Sequence, residues 1–230
     1  MSNMYENAKT WNPFKGCLFN CSYCRPSFQA QAKRQKHNCR LCYDYAPHVH
    51  PERLHKIPKA KIVFACGNGD VAFCRPGYLE LMLNHAAARP KQDFYFQSKR
   101  PSCFEGLTIP DNVILVTTLE TNRCVIYRKY VSKTAPDPME RDYQFRQLKH
   151  QRKIVTIEPI MEFELEILLR WVVGIKPEAV WIGYNSRPKQ VQLPEPTLEK
   201  AMLLITRLEE AGIPVHQKTM RERIDHEQRH

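Results

Sequence analysis

Short β-branched or aromatic runs alternate with longer helical patterns along most of this chain, and that alternation limits the fold more than any other feature. KIVFAC (Lys61 to Cys66), DFYFQS (Asp93 to Ser98), NVILVTTLE (Asn112 to Glu120), KIVTIEPI (Lys153 to Ile160) and AVWIGY (Ala179 to Tyr184) read as strands. RPGYLELMLNHAAA reads as a helix, with Pro76 in its first turn and Leu79, Leu81, Met82 and Leu83 as apolar positions. DPMERDYQFRQLKHQ and ELEILLRWVVGI follow as helices, and PTLEKAMLLITRLEEAG has Pro196 near its start and Gly212 at its end. Strands separated by helices cannot pair through tight turns, so they pair in parallel through right-handed crossovers. With a sixth strand around Ala8 to Trp11, and IPVHQK as a last short one, the pattern predicts an α/β fold. Its expected form is a partial (β/α)6 barrel of parallel strands, a single domain over residues 1–230. In such folds functional groups gather at the carboxyl ends of strands. There the sequence places CGNGD, TTLETN, EP and GYNS, which are expected to face one mouth.

Composition excludes several classes. Hydrophobic residues make up 43% and charged residues 26% of the 230, an ordinary balance for a globular domain. No apolar run approaches the roughly 20 residues that span a bilayer, so no membrane partner is expected. The N-terminal MSNMYENAKTWNP lacks the basic and apolar regions of a secretory signal, which predicts a cytoplasmic protein. The formal net charge of +11 comes from 35 basic and 24 acidic residues, with denser patches at QAKRQKHNCR and QKTMRERIDHEQRH. It favours an anionic partner such as nucleic acid, a nucleotide or an acidic protein, and is equally compatible with a solvated basic surface.

The nine cysteines of a cytoplasmic chain read as metal ligands or thiols rather than disulfides. Cys66, Cys74, Cys103 and Cys124 show no ligand spacing and read as incidental thiols. Cys17, Cys21 and Cys24 are spaced C-x3-C-x2-C. A 4Fe–4S cluster normally takes one thiolate per iron, so three ligands leave one iron open to a small molecule. The alternative is a zinc site completed by Cys39, Cys42 or a histidine.

C-x3-C-x2-C with an aromatic residue, Tyr23, before its last cysteine resembles the radical S-adenosylmethionine (SAM) superfamily. TWNPFKGC, HVHPERL, GNGDVAF, TIEPI and PVHQK further resemble the phage-associated three-Cys-motif radical SAM family, a match running from Thr10 to about Lys218. The resemblance implies a radical-SAM-type barrel, a 4Fe–4S cluster on Cys17, Cys21 and Cys24, and S-adenosyl-L-methionine as cofactor. It further implies a flavodoxin- or ferredoxin-like reductant, and hydrogen abstraction by a 5'-deoxyadenosyl radical. In the superfamily a GGE-like segment holds the SAM methionine, and GNGD (Gly67, Asn68, Gly69, Asp70) stands in its place, with Asn68 and Asp70 as departures. Thr118, Glu120 and Asn122 are expected on one strand face for ribose or carboxylate contacts, together with Glu158. WIGYNS resembles the adenine-binding strand, with Gly183 and Asn185 as contacts and Tyr23 beside the base.

KHNCRLCYDYAPHVH adds His37, Cys39, Cys42, His48 and His50. Cys39 and Cys42 have zinc-like spacing, and an auxiliary cluster or plain thiols are the other readings. His50 lies inside the HPERL motif, which suggests a place at the active-site mouth instead of on a metal. Two functions follow. One is a radical SAM enzyme acting on a nucleic acid, a nucleotide or another anionic substrate. The other is a metal-stabilised nucleic-acid-binding module without SAM chemistry, using the basic aromatic segments FYFQSKRPSCF and IYRKYVSK.

Overall fold

The computed structural model describes residues 5 and 7–222, so the last eight residues of the basic C-terminal segment lie outside it. The chain divides into two compact units, Met1–Leu18 with Ser27–Val116, and Phe19–Pro26 with Thr117–His230. The division falls inside a strand.

The first unit makes β1 (Ala8–Trp11), β2 (Phe14–Lys15), the short helical turns α1 (Ala30–Ala32) and α2 (Arg40–Tyr43), and β3 (His48–Val49). It continues with β4 (Ile62–Ala65), α3 (Pro76–Ala87), β5 (Asp93–Gln97) and the start of β6 (Val113–Thr118). β1, β4, β5 and β6 pair in parallel, with Thr10 opposite Phe64, Phe64 opposite Tyr95, and Phe96 opposite Leu115. β2 and β3 form a separate antiparallel pair. All six β6 residues are buried, as expected of a parallel strand covered on both faces. Tyr5 packs edge-on against both Phe64 and Tyr95, with ring centroids 5.0 Å apart in each pair. On α3, Leu79, Met82, Leu83 and Ala86 are buried at helical spacing, whereas Leu81 falls off that stripe and is exposed.

The second unit adds α4 (Cys124–Tyr130), α5 (Pro138–Gln147), β7 (Lys153–Ile157), α6 (Leu165–Ile175), β8 (Ala179–Gly183), α7 (Leu198–Glu210) and β9 (Val215–Lys218). β7, β8 and β9 are parallel, with Thr156 opposite Trp181 and Gly183 opposite Lys218. α6 buries Leu168, Leu169, Val172 and Ile175, and α7 buries Ala201, Leu204, Ile205 and Leu208. Each such side chain contributes about 1.5–3 kcal/mol relative to exposure, except alanine, which contributes less. Thr197 caps α7 by accepting the Lys200 amide at 3.2 Å, and Gly212 takes the left-handed turn after it at φ +79°.

The hydrogen-bonded strand order is β1-β4-β5-β6-β7-β8-β9, the parallel α/β arrangement that the alternation predicts. Six of its strands are those of the expected barrel, and the seventh is the last short strand read from IPVHQK, which pairs through its backbone as an edge over Val215–Lys218 despite a half-exposed pattern. Helix α4 was not expected. Val125 is 80% exposed and Tyr127 fully buried, but the seven-residue element is too short and basic to show a period. Among the described residues no helix is long and apolar enough to cross a membrane.

Candidate functional site

In the first unit, β4 runs into Cys66, whose φ of 56° reverses the chain, a backbone state that costs a non-glycine residue roughly 1 kcal/mol or more. The reversal lays Gly67 to Asp70 beside the start of the cysteine loop. The Gly16 amide donates to the Asn68 carbonyl at 3.0 Å, and the Asp70 amide donates to the Gly16 carbonyl at 3.2 Å. Gly69 is required by this approach, since a Cβ there would lie 2.7 Å from the Gly16 oxygen. The Asp70 carboxylate accepts from Ala72 N at 3.0 Å, Ser98 Oγ at 2.7 Å and Lys99 N at 2.9 Å. It thereby ties the end of β4 to the end of β5. Burial pushes its pKa up from the ordinary value, against the pull of those donors.

The Cys39/Cys42 pair is joined by both histidines of the H-x-H segment. Cys42 Sγ lies 3.3 Å from His48 Nε2 and 3.2 Å from His50 Nε2, and Cys39 Sγ lies 3.5 Å from His48 Nε2. One ligand atom from each of the four residues lies within 4.8 Å of every other. His37 is outside the group. His50 is buried against Cys42, and burial lowers its pKa. A cavity of about 160 Å³ opens beside this group, with Lys15, Arg34, Gln35, Tyr45 and Asn68 in its wall.

In the second unit, the segment carrying Cys21 and Cys24 is fixed from several sides. The Ser22 amide donates to the Val131 carbonyl at 3.0 Å and its hydroxyl to the Tyr130 carbonyl at 2.6 Å. The Phe19 carbonyl accepts from Ser132 and Thr134. The Tyr23 hydroxyl donates to Glu120 Oε1 at 2.6 Å, and Arg141 Nη1 donates to Glu120 Oε2 at 2.8 Å. Both side chains of that ion pair are fully buried, and the guanidinium stacks 4.5 Å over the Tyr127 ring. Burial works most strongly against the Arg141 charge, but the Glu120 carboxylate together with the Tyr127 and Tyr23 hydroxyls outweighs it and holds the guanidinium above its ordinary pKa. Burial, then the Glu120 charge, raises the Tyr23 phenol well above its usual value. Arg141 is the residue here that sequence reasoning missed; a lone arginine within MERDYQF carries no signal that it is buried.

The other expected contacts lie at strand ends. β6 stops at Thr118, so the alternation expected to carry Glu120 and Asn122 onto one face with Thr118 does not continue that far. Thr118 Oγ1 accepts from Thr156 at 2.9 Å. The Asn122 amide clasps the Glu164 backbone, donating at 3.0 Å and accepting at 2.9 Å. Glu158 pairs with Lys218 at 3.3 Å, and burial raises its pKa. Gly183 lets β9 approach, because a Cβ would lie 2.2 Å from the Lys218 oxygen. Asn185 holds its own loop through Val191 and Arg187. Glu195 takes a bidentate pair from Arg221 at 2.6 and 2.9 Å.

The basic aromatic segments are largely core. Phe94, Tyr95, Phe96, Phe104 and Tyr127 are buried, and only Tyr130 among their aromatics is exposed.

No protein-family model matches the chain, and no curated protein matches it in sequence. Solved structures match it in fold. One is a spore photoproduct lyase mutant, with a TM-score of 0.67 and 12% identity over 95% of this chain and 79% of that one. Another lyase structure, with bound AdoMet and dinucleoside spore photoproduct, has a TM-score of 0.56 at 12% identity over 95% and 62% of the two chains. Streptococcus suis SuiB, bound to the precursor peptide SuiA, has a TM-score of 0.55 at 9% identity, over 91% of this chain and 48% of that one. These neighbours are radical SAM enzymes. At such identities the likeness is one of fold.

Proposed function

We propose that this chain is a radical SAM enzyme that holds a 4Fe–4S cluster on Cys17, Cys21 and Cys24 and acts on a nucleic acid or nucleotide. The observation that carries the class is C-x3-C-x2-C in a chain whose fold matches solved radical SAM enzymes. The donor set suits the group: none of these cysteines is in a disulfide, and three thiolates leave one iron for SAM. When bound, the cluster supplies the electron that cleaves SAM to the radical that takes hydrogen from the substrate. A flavodoxin- or ferredoxin-like protein is the proposed donor of that electron. At family level, placement with the phage-associated three-Cys-motif enzymes rests on the motifs alone.

The chain's own residues divide by what already occupies them. Asp70, Glu120 and Asn122 hold loops, their polar atoms engaged by protein partners. Tyr23 anchors the cysteine segment to Glu120. Gly67, Asn68 and Gly69 are proposed to lie against SAM, with the Asn68 amide and carbonyl and the Gly69 amide already holding the turn through Asn12, Gly16 and Cys66, and Thr118, Glu158, Gly183 and Asn185 are the remaining proposed contacts. For the substrate, support comes from the +11 charge and from the neighbour bound to a dinucleoside photoproduct. The binding-module alternative loses its proposed stacking surface to the core.

The test is anaerobic reconstitution with iron and sulfide, then reductant, SAM and deuterated substrates. We expect 5'-deoxyadenosine to form, with deuterium entering it from an oligonucleotide. No 5'-deoxyadenosine from protein with an intact cluster sinks the enzyme reading, and deuterium arriving only from peptides sinks the nucleic-acid assignment. Cys21→Ala should abolish both cluster and cleavage.

A further inference from the structure

We propose that Cys39, Cys42, His48 and His50 bind one structural zinc ion, distinct from the three-cysteine motif, which fixes the loop from which Cys17 hangs. The ligands follow C-x2-C-x5-H-x-H. Cys39 precedes the α2 turn, and its sulfur accepts the Cys42 amide at 3.4 Å, which fixes its position beside Cys42. His48 and His50 flank Val49 on an extended segment, so period-two alternation sends both rings to one side. Their centroids are 4.5 Å apart.

The geometry suits a single tetrahedral ion. Zinc bonds of about 2.0–2.1 Å to nitrogen and about 2.3 Å to sulfur give ligand-to-ligand edges of about 3.4–3.8 Å. Three of the four sulfur–nitrogen separations here are 3.2, 3.3 and 3.5 Å, and every ligand-atom pair lies within 4.8 Å. Both Nδ1 atoms face acceptors, which leaves both Nε2 atoms as acceptors, so the single S–H of Cys42 can donate to only one of the two rings it touches. A two-iron cluster of the Rieske type puts thiolates on one iron and imidazoles on the other, which separates the ligand types. Cys42 Sγ instead sits against both imidazoles. Each ring is oriented through its other nitrogen: His48 Nδ1 meets the Ala46 carbonyl at 2.7 Å and His50 Nδ1 meets Glu52 Oε1 at 2.9 Å. That arrangement turns both Nε2 atoms to the centre, as second-shell partners of metal-bound histidines do. Four protein ligands leave no open position, so the ion is structural.

The loop it closes bears on Cys17. The Cys17 amide donates to the Tyr45 carbonyl at 3.2 Å, and the His50 amide donates to the Pro13 carbonyl at 2.6 Å. Gly16, at φ +92°, lies so close that a Cβ would be 2.1 Å from the Ala46 oxygen, the same carbonyl that orients His48. The coupling is reciprocal in free energy, but the two sites differ in what remains when one is lost, since the zinc keeps four ligands of its own. Losing zinc loosens Cys17, whereas losing the cluster leaves the zinc site whole; the cluster half of this statement rests on the reading of Cys17 as its ligand.

The test uses the full chain with Cys17, Cys21 and Cys24 all changed to Ala, which leaves the proposed zinc ligands intact. Metal analysis after growth with zinc and iron should find one zinc per chain and no iron. Replacement by Co2+ should give the intense visible bands of a tetrahedral site and a thiolate-to-cobalt charge-transfer band. In the otherwise natural chain, Cys39→Ser with Cys42→Ser should lose the zinc and lower iron loading. Iron with sulfide in the triple variant, absence of zinc, or a six-coordinate cobalt spectrum overturns the proposal. Should the double variant not fold, the cobalt spectrum of the triple variant decides. A wild-type protein that forms no 5'-deoxyadenosine would undo the enzyme reading and leave the zinc result standing.

Discussion

Glu120 and Arg141 are each 0% exposed, and Arg141 Nη2 has no hydrogen-bond partner among the described residues. Removing one charge of such a pair strands the other in a medium that cannot solvate it. Glu120→Gln should therefore cost about 3–5 kcal/mol in urea unfolding, and Glu120→Gln with Arg141→Met should recover part of it. A single-variant cost under about 1 kcal/mol would show that water reaches the pair. Asp142 makes a second prediction. It is buried, one oxygen has no partner among the described residues, and burial raises its pKa to about 6 despite the pull of Arg146. Since its folded pKa lies above the ordinary 3.8, the folded state binds more protons between these values. The associated stability is present below about pH 4 and is lost as pH rises through 6. Asp142→Asn should remove roughly 2 kcal/mol of that decline, read as the difference between wild-type and variant unfolding at pH 4 and pH 7. An unchanged pH profile would mean the carboxylate is solvated.

At the scale of elements, what was legible depended on whether burial left a period in the sequence. Strands such as Val113–Thr118 are buried on both faces and read as unbroken apolar runs, and α6 and α7 show their stripes clearly. α4 was not legible because a short basic helix draws its stability from a single anchor, Tyr127, rather than from a repeating face, whereas the edge strand β9 was legible as the short run IPVHQK. In the candidate site, cysteine spacing was readable because ligand geometry is written in local separation. The joining of His50 to Cys42 was not, nor was the seating of Tyr23 on Glu120, 97 positions away. The close approach of Gly16 and Gly69 is likewise tertiary, and it can be tested. Gly69→Ala would drive a methyl against the Gly16 carbonyl, 2.7 Å away, and part the GNGD turn from the cysteine loop. The variant should stay folded by circular dichroism, with a cost of about 1–3 kcal/mol, and load less iron. Full loading would show that the turn does not position Cys17.

At the scale of the whole molecule, the excess of 35 basic over 24 acidic residues makes a prediction that separates the substrate classes. A polyanion releases condensed counterions when cationic side chains neutralise its phosphates, and a peptide does not. Each phosphate contact to a single strand contributes about −0.7 to the slope of log affinity against log salt. Three contacts would thus lower affinity by about an order of magnitude between 50 and 200 mM salt. Aromatic stacking adds affinity without salt dependence, but most aromatics in the two basic segments are in the core, so little such contribution is expected. Oligonucleotide binding followed by fluorescence anisotropy should therefore be steeply salt-dependent and nearly sequence-independent before SAM is added. A flat salt profile would remove charge as the reason for a nucleic-acid substrate. The enzyme reading would then rest on the cysteine spacing and the fold, and a neutral substrate such as the peptide backbone would become the better candidate.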